Sequence, residues 1–137
     1  MATWMVVEDE PDLYDMILAM YATMGIGGVA FVTGEDAVEW IEDVEAGRYD
    51  GEMPELAMID IRLPGRISGD LVGARMRQSA PLDNTVVVLM TAFKLSPEEE
   101  RQVVASANAD LLLYKPLPRL NELKRTLQDL IAQKTKT

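Results

Sequence analysis

Neither cysteine nor histidine occurs among the 137 residues, so any chemistry must use carboxylates, hydroxyls, lysine or arginine. Disulfide frameworks, Cys/His zinc sites, thiol nucleophiles and histidine triads are excluded together. The residues that stand out directly follow short apolar runs: Glu8 and Asp9, then Asp60, Thr91 and Lys115. Brought together, they make three carboxylates, one hydroxyl and one ammonium. Clustered carboxylates repel and raise one another's pKa unless a hard cation and a lysine offset the charge. Mg²⁺ suits such a set, because it prefers oxygen ligands and keeps several waters, so one or two carboxylates suffice. A carboxylate can then attack phosphorus while the metal, the ammonium and the hydroxyl neutralise the oxygens of the transferring group. The product is an acyl phosphate on an aspartate.

Each residue alone has a plainer reading. Glu8, Asp9 and Glu10 ahead of Pro11 are the acids that a helix N-terminus favours. Asp60 would solvate a strand end, Thr91 would sit in a turn and Lys115 would be an exposed lysine before a proline. Their order along the chain sets the chemical reading apart, and that order depends on the elements that carry them.

Five apolar runs recur, at residues 4–7, 29–32, 56–59, 86–90 and 111–114. They are continuous rather than alternating, as in parallel strands covered on both faces. Helical periodicity lies between them. Leu13, Met16, Ile17, Met20, Tyr21 and Met24 form one stripe after Pro11, ended by Gly25. Thr33 can cap a second helix carrying Ala37, Val38, Ile41 and Val44, with Gly47 beyond its end. A third helix begins near Ser68 or Gly69 and presents Leu71, Val72 and Met76. Ser96, Pro97 and Glu99 make a strong start for a fourth. A fifth runs from about Pro118, with Leu120, Leu123, Leu127, Leu130 and Ile131 on one face, and a frayed polar tail is expected from residue 132.

Five β-α repeats with right-handed crossovers predict a doubly wound parallel sheet with helices on both faces. Periodicity does not give the strand order. All the strand ends nonetheless lie on one edge, so Glu8, Asp9, Asp60, Thr91 and Lys115 converge there.

The length fits one domain, and a hydrophobic content of 48% is enough for one core. Residues 1–133 are expected to form it, leaving 134–137 as tail. The formal charge of −10, from 13 basic and 23 acidic residues, argues against nucleic-acid or anionic-membrane partners. Only Lys134 and Lys136 make a short basic patch. No apolar run approaches the ~20 residues that span a bilayer, and the first strand begins too early for a signal peptide. A cytoplasmic protein is the expectation.

The residues resemble the response-regulator receivers of two-component signalling. The likeness is carried by Val6-Val7-Glu8-Asp9-Glu10, Ile59-Asp60-Ile61-Arg62-Leu63-Pro64-Gly65, Leu89-Met90-Thr91-Ala92 and Tyr114-Lys115-Pro116, and it covers nearly the whole chain. It implies a flavodoxin-like (βα)5 fold with strand order 2-1-3-4-5. It implies Asp60 as phosphoacceptor, Thr91 and Lys115 as phosphoryl ligands, and Mg²⁺ held by Asp9, Asp60 and the main-chain carbonyl of Arg62, with Glu8 in support. A cis Lys115-Pro116 bond is also implied. The implied partners are a sensor histidine kinase or a phosphotransfer protein, since this chain has no histidine of its own, and a downstream target that reads the altered surface. Self-association on phosphorylation stays open.

The sequence departs from the family's pattern in three places. Glu8 is one methylene longer than the commoner Asp. The segment from Asp60 to Gly69 is one residue longer than usual. Leu112 stands where most receivers carry a Tyr or Phe that changes rotamer on activation; Tyr114 lies on the same strand face by alternation. Arg62 and Phe93 fall near the approach of a hydrolytic water. Two other functions remain in view: an unphosphorylated interaction module on the same fold, and a Mg²⁺-dependent phosphatase with an aspartyl nucleophile. Phosphatases of the haloacid-dehalogenase-like family want a second Asp two residues after the nucleophile, where this chain has Arg62.

Overall fold

The computed structural model describes residues 2–135. Five strands alternate with five helices: β1 (Thr3–Val7), α1 (Pro11–Thr23), β2 (Gly27–Phe31), α2 (Gly34–Glu45), β3 (Leu56–Asp60), α3 (Gly69–Arg77), β4 (Val86–Thr91), α4 (Pro97–Ala107), β5 (Leu111–Tyr114) and α5 (Leu120–Thr135). All strand pairs are parallel and the order is β2-β1-β3-β4-β5. The order in which successive strands are laid down reverses between β1 and β3, which opens a crevice at the C-terminal ends of those two strands.

Strand alternation sorts the core into two layers. Met5, Val7, Ala57, Ile59, Val87 and Leu89 face Ala37 and Ile41 of α2, Val72 and Met76 of α3, and Ala107 of α4. Trp4, Val6, Leu56, Met58, Val88 and Met90 face Ile17, Met20 and Tyr21 of α1 and Leu123 and Leu127 of α5. Both faces of the central strands are therefore dry, which is why their sequences read as unbroken apolar runs. The Tyr21 hydroxyl, deep in the second layer, donates to the Met5 carbonyl at 2.8 Å.

The helix boundaries follow local chemistry. Gly25 (φ +72°) and Gly47 (φ +76°) take the left-handed conformation just past α1 and α2. Thr33 Oγ1 accepts from Asp36 N–H, and Ser96 with Glu99 forms a reciprocal capping box on α4.

Four sequence expectations need correction. The second strand is Gly27–Phe31, not residues 29–32: parallel pairing with β1 recruits the two glycines, while Val32 lies beyond the last pair and is exposed. Leu71 and Leu120 are exposed rather than packed, because Val72, Met76, Leu123 and Leu127 already face the sheet. The fifth helix starts at Leu120, two residues after Pro118. It also continues to Thr135 instead of fraying at 132, and Lys134 Nζ lies 3.1 Å from Asp110 Oδ2. Of the supposed tail, Lys136 and Thr137 lie outside the described residues.

Candidate functional site

Asp60 is the last residue of β3, and Thr91 is the last residue of β4. Glu8 follows β1 directly, its N–H donating to Phe31 O at 3.0 Å, and Lys115 follows β5, its N–H donating to Thr91 O at 2.8 Å. The sheet thus extends one hydrogen bond past β1 and β5, which fixes the backbones of both residues. Glu8, Asp60 and Thr91 are buried, Lys115 is half-buried and Asp9 is exposed at the mouth.

The interior of the site is organised around Lys115. Its Nζ donates to Glu8 Oε1 at 2.8 Å and lies 3.4 Å from Asp60 Oδ2. The other Glu8 oxygen, Oε2, accepts the Glu10 N–H at 3.1 Å. Burial and the negative charge of Glu8 raise the Asp60 carboxyl to about 7, with Lys115 opposing them. Burial works against the Lys115 ammonium, but the Glu8 hydrogen bond and the Asp60 charge outweigh it and raise its pKa. Carboxylate oxygens of Glu8, Asp9 and Asp60 all lie within 4.8 Å of one another.

Three carboxylates facing one ammonium leave an excess of negative charge in a largely buried place. A hard dication with oxygen ligands fits that donor set, and the raised Asp60 pKa marks the charge it would relieve. Thr91 Oγ1 accepts the Phe93 N–H at 3.1 Å, which leaves its own hydroxyl proton free to point at an incoming oxygen. The Arg62 guanidinium stacks over the Phe93 ring at 4.1 Å, bridging the loops that follow β3 and β4.

Glu8, Asp9, Asp60 and Lys115 are brought together, Thr91 lies at the same sheet edge with its carbonyl accepting the Lys115 N–H, and the Lys115-Pro116 bond is cis. One participant escaped that reading. A Cβ on Gly69 would lie 2.0 Å from Asp60 O, so the start of α3 presses directly on the backbone of the buried aspartate. Its signal in the sequence is a glycine that opens a helix directly after the strand-end loop. Leu112 packs against the first core layer, whereas Tyr114, on the same face, donates its hydroxyl to Glu100 of α4.

Comparison with known proteins agrees with this architecture. The sequence matches the response regulator receiver domain family over residues 4–128, and the chain belongs to that family. Receiver domains are regulatory domains of two-component signalling. A putative response regulator from Chloroflexus aurantiacus J-10-fl superposes with a TM-score of 0.76 at 22% identity, covering 96% of this chain and 98% of its own. A CheY-like receiver domain protein from Methanospirillum hungatei JF-1 gives 0.78 at 20% identity, over 99% and 98%. The receiver domain of a sensor histidine kinase from Pseudomonas aeruginosa PAO1, described with a magnesium ion coordinated in its active-site cleft, gives 0.76 at 24% identity, over 96% and 98%. These likenesses establish the fold. No curated protein matches the sequence. Among the described residues, no helix is long and apolar enough to cross a membrane.

Proposed function

We propose that the protein is a phosphorylation-dependent switch in which Asp60 accepts a phosphoryl group from the phosphohistidine of a histidine kinase or phosphotransfer protein. The observation that carries this reading is a buried Asp60 carboxylate, 3.4 Å from Lys115 and flanked by Glu8, Asp9 and Thr91 at one sheet edge. Glu8, Asp9, Asp60 and the main-chain carbonyl of Arg62 are the residues that would hold Mg²⁺. When bound, the ion supplies the positive charge that keeps Asp60 ionised and neutralises phosphoryl oxygens.

The remaining work falls to the chain's own groups. An Asp60 oxygen forms the new O–P bond as the P–N bond of the donor imidazole breaks, and the imidazole leaves with the bonding pair and takes up a proton. Lys115 turns from Glu8 toward a phosphoryl oxygen, and Thr91 donates its hydroxyl to another. Both residues join the strand ends next to α4, so their movement shifts the population of conformers of the face formed by α4, β5 and α5. A downstream protein reads that face.

The test is incubation with Mg²⁺ and acetyl phosphate, followed by intact mass. One hydroxylamine-labile phosphoryl adduct on the wild type, absent from Asp60→Asn, is the expected result. No adduct on the wild type would turn the reading to an unphosphorylated interaction module. Rapid turnover of general phosphomonoesters would turn it to a phosphatase.

A further inference from the structure

The connection from β3 to α3 carries Arg62, and it is held from outside the carboxylate cluster. We propose that Glu35, in the first turn of α2, is a positioning residue for the metal site, fixing the loop whose Arg62 carbonyl completes the ligand set. The inference rests on the reading above that Arg62 contributes that ligand.

Two independent contacts seat the loop on α2. Glu35 Oε2 accepts the Arg66 N–H at 2.8 Å. Gly65, at φ +88°, lies so close that a Cβ there would meet Glu35 Oε2 at 2.6 Å. A left-handed glycine followed by outward N–H groups makes an anion-binding concavity, and here the anion is a side chain of the same protein. The N–H of Arg66 first, then that of Glu35 itself, and more weakly that of Ile67, hold the Glu35 carboxyl below its usual range. The second contact is backbone on backbone: a Cβ on Gly34 would lie 2.3 Å from Ile67 O.

The base of the loop is fixed separately. Ile61 N–H donates to Met90 O, and Gly69 N–H donates to Ile61 O, each at 2.8 Å. Arg62 therefore sits between a hydrogen-bonded base and a tip anchored on α2, with its side chain against Phe93. Without the tip anchor, the stretch that carries this carbonyl is held only at its hydrogen-bonded base and by the Arg62–Phe93 stack. The macrodipole accounts for an acid in the first turn of α2. It does not account for that acid closing on a loop 31 residues away in sequence.

The experiment is Mg²⁺ titration by calorimetry on the full chain, with amide hydrogen exchange over residues 61–69, for wild type, Glu35→Ala, Glu35→Gln, Gly34→Ala and Glu39→Ala. Glu35→Ala is expected to weaken Mg²⁺ about tenfold, the low end of what losing a supporting contact of a metal ligand costs, and to speed exchange at Arg66. Glu35→Gln keeps an oxygen acceptor for the Arg66 N–H and is expected to stay within about twofold of wild type. Gly34→Ala, which lifts the loop from the backbone side, should reproduce the loss, and the Glu35 pair decides the matter if that variant does not fold. Glu39→Ala removes an exposed charge from the same helix and should change nothing. Unchanged affinity in Glu35→Ala, or a loss as large in Glu35→Gln or Glu39→Ala, would overturn the inference while leaving the switch intact. A wild type that neither binds Mg²⁺ nor accepts phosphate overturns the functional reading itself, and this inference with it.

Discussion

Lys115 Nζ lies 2.8 Å from Glu8 Oε1 and 3.4 Å from Asp60 Oδ2, so the ammonium is committed first to Glu8 and only second to the proposed acceptor. Glu8 is fully buried and spends its other oxygen on the Glu10 N–H. The longer side chain at this position thus stores the lysine next to Asp60 without neutralising Asp60. The acceptor is left under the combined push of burial and a neighbouring carboxylate, which accounts for its pKa of about 7.

Glu8→Gln removes that neighbouring charge and releases Lys115 toward Asp60. The Asp60 titration midpoint should fall by about one unit or more, followed by carboxyl carbon chemical shifts in NMR. Mg²⁺ affinity should fall as well, because one of three anionic groups has gone. A midpoint still near that of wild type would show that Glu8 does not set the Asp60 pKa.

The stability of the metal-free protein should depend on pH through Asp60. Its folded pKa is raised from 3.8 to about 7, so the folded state binds more protons than the unfolded state in that window. The stabilising contribution is complete below about pH 4 and is lost as pH rises through 7. Asp60→Asn should therefore stabilise the metal-free protein by about 1–3 kcal/mol at pH 8, allowing for solvent screening, and by much less near pH 4. Urea unfolding at the two pH values measures it. An equal effect at both would show that the carboxylate is not strained by ionisation. Conversely, Mg²⁺ binding near pH 7 should release protons, seen as a buffer-dependent binding enthalpy.

Helix α3 and the end of β3 touch through Gly69, where a Cβ would lie 2.0 Å from Asp60 O. Backbone cannot yield as a flexible side chain does, so Gly69→Ala should cost about 2–4 kcal/mol and displace the β3 end. Gly73→Ala, which meets the Ala107 side chain at 2.7 Å, is a comparison away from the site. Phosphoryl uptake should suffer in the first variant beyond what its stability explains. Equal uptake by the two variants at matched folded fractions would remove Gly69 from the site.

The strand ends were legible because each chemical residue directly follows an apolar run, and a parallel sheet gathers such ends on one edge. Asp60, Thr91 and Lys115 needed no tertiary information beyond that. What escaped the sequence depends on contacts between distant segments. Gly27 and Gly28 have little strand propensity, yet β1 draws them into the sheet as an edge strand. Trp40 lies beside the aliphatic α2 stripe of Ala37, Ile41 and Val44, and its burial comes from packing between Phe31 of β2 and Tyr49 beyond the helix. Glu35 and Arg66 have no periodic relation at all; only the packing of the β3 to α3 loop on α2 joins them.

Tyr114 offers a route by which events at Lys115 reach α4. Leu112, at the position expected to hold a mobile ring, packs in the first core layer and pairs with Leu89 in the sheet. Tyr114 is instead the sheet neighbour of Thr91, directly precedes Lys115, and donates its hydroxyl to Glu100 in the first turn of α4. Any shift of Thr91 or Lys115 therefore pulls on a strand end that is tied to that helix. Tyr114→Phe keeps the ring and removes the tie. Phosphoryl uptake by Asp60 should stay within about twofold of wild type, because no group that meets the phosphorus is altered. Amide exchange in the first turn of α4 should quicken, and the change in α4 amide shifts on phosphorylation should shrink. Because the hydrogen bond is exposed, the variant should unfold at nearly the wild-type denaturant midpoint, so altered transmission is separable from altered stability. If α4 responds to phosphorylation in Tyr114→Phe as it does in wild type, the hydroxyl is not the link, and the signal must pass through the backbone pairing of Thr91 with β5.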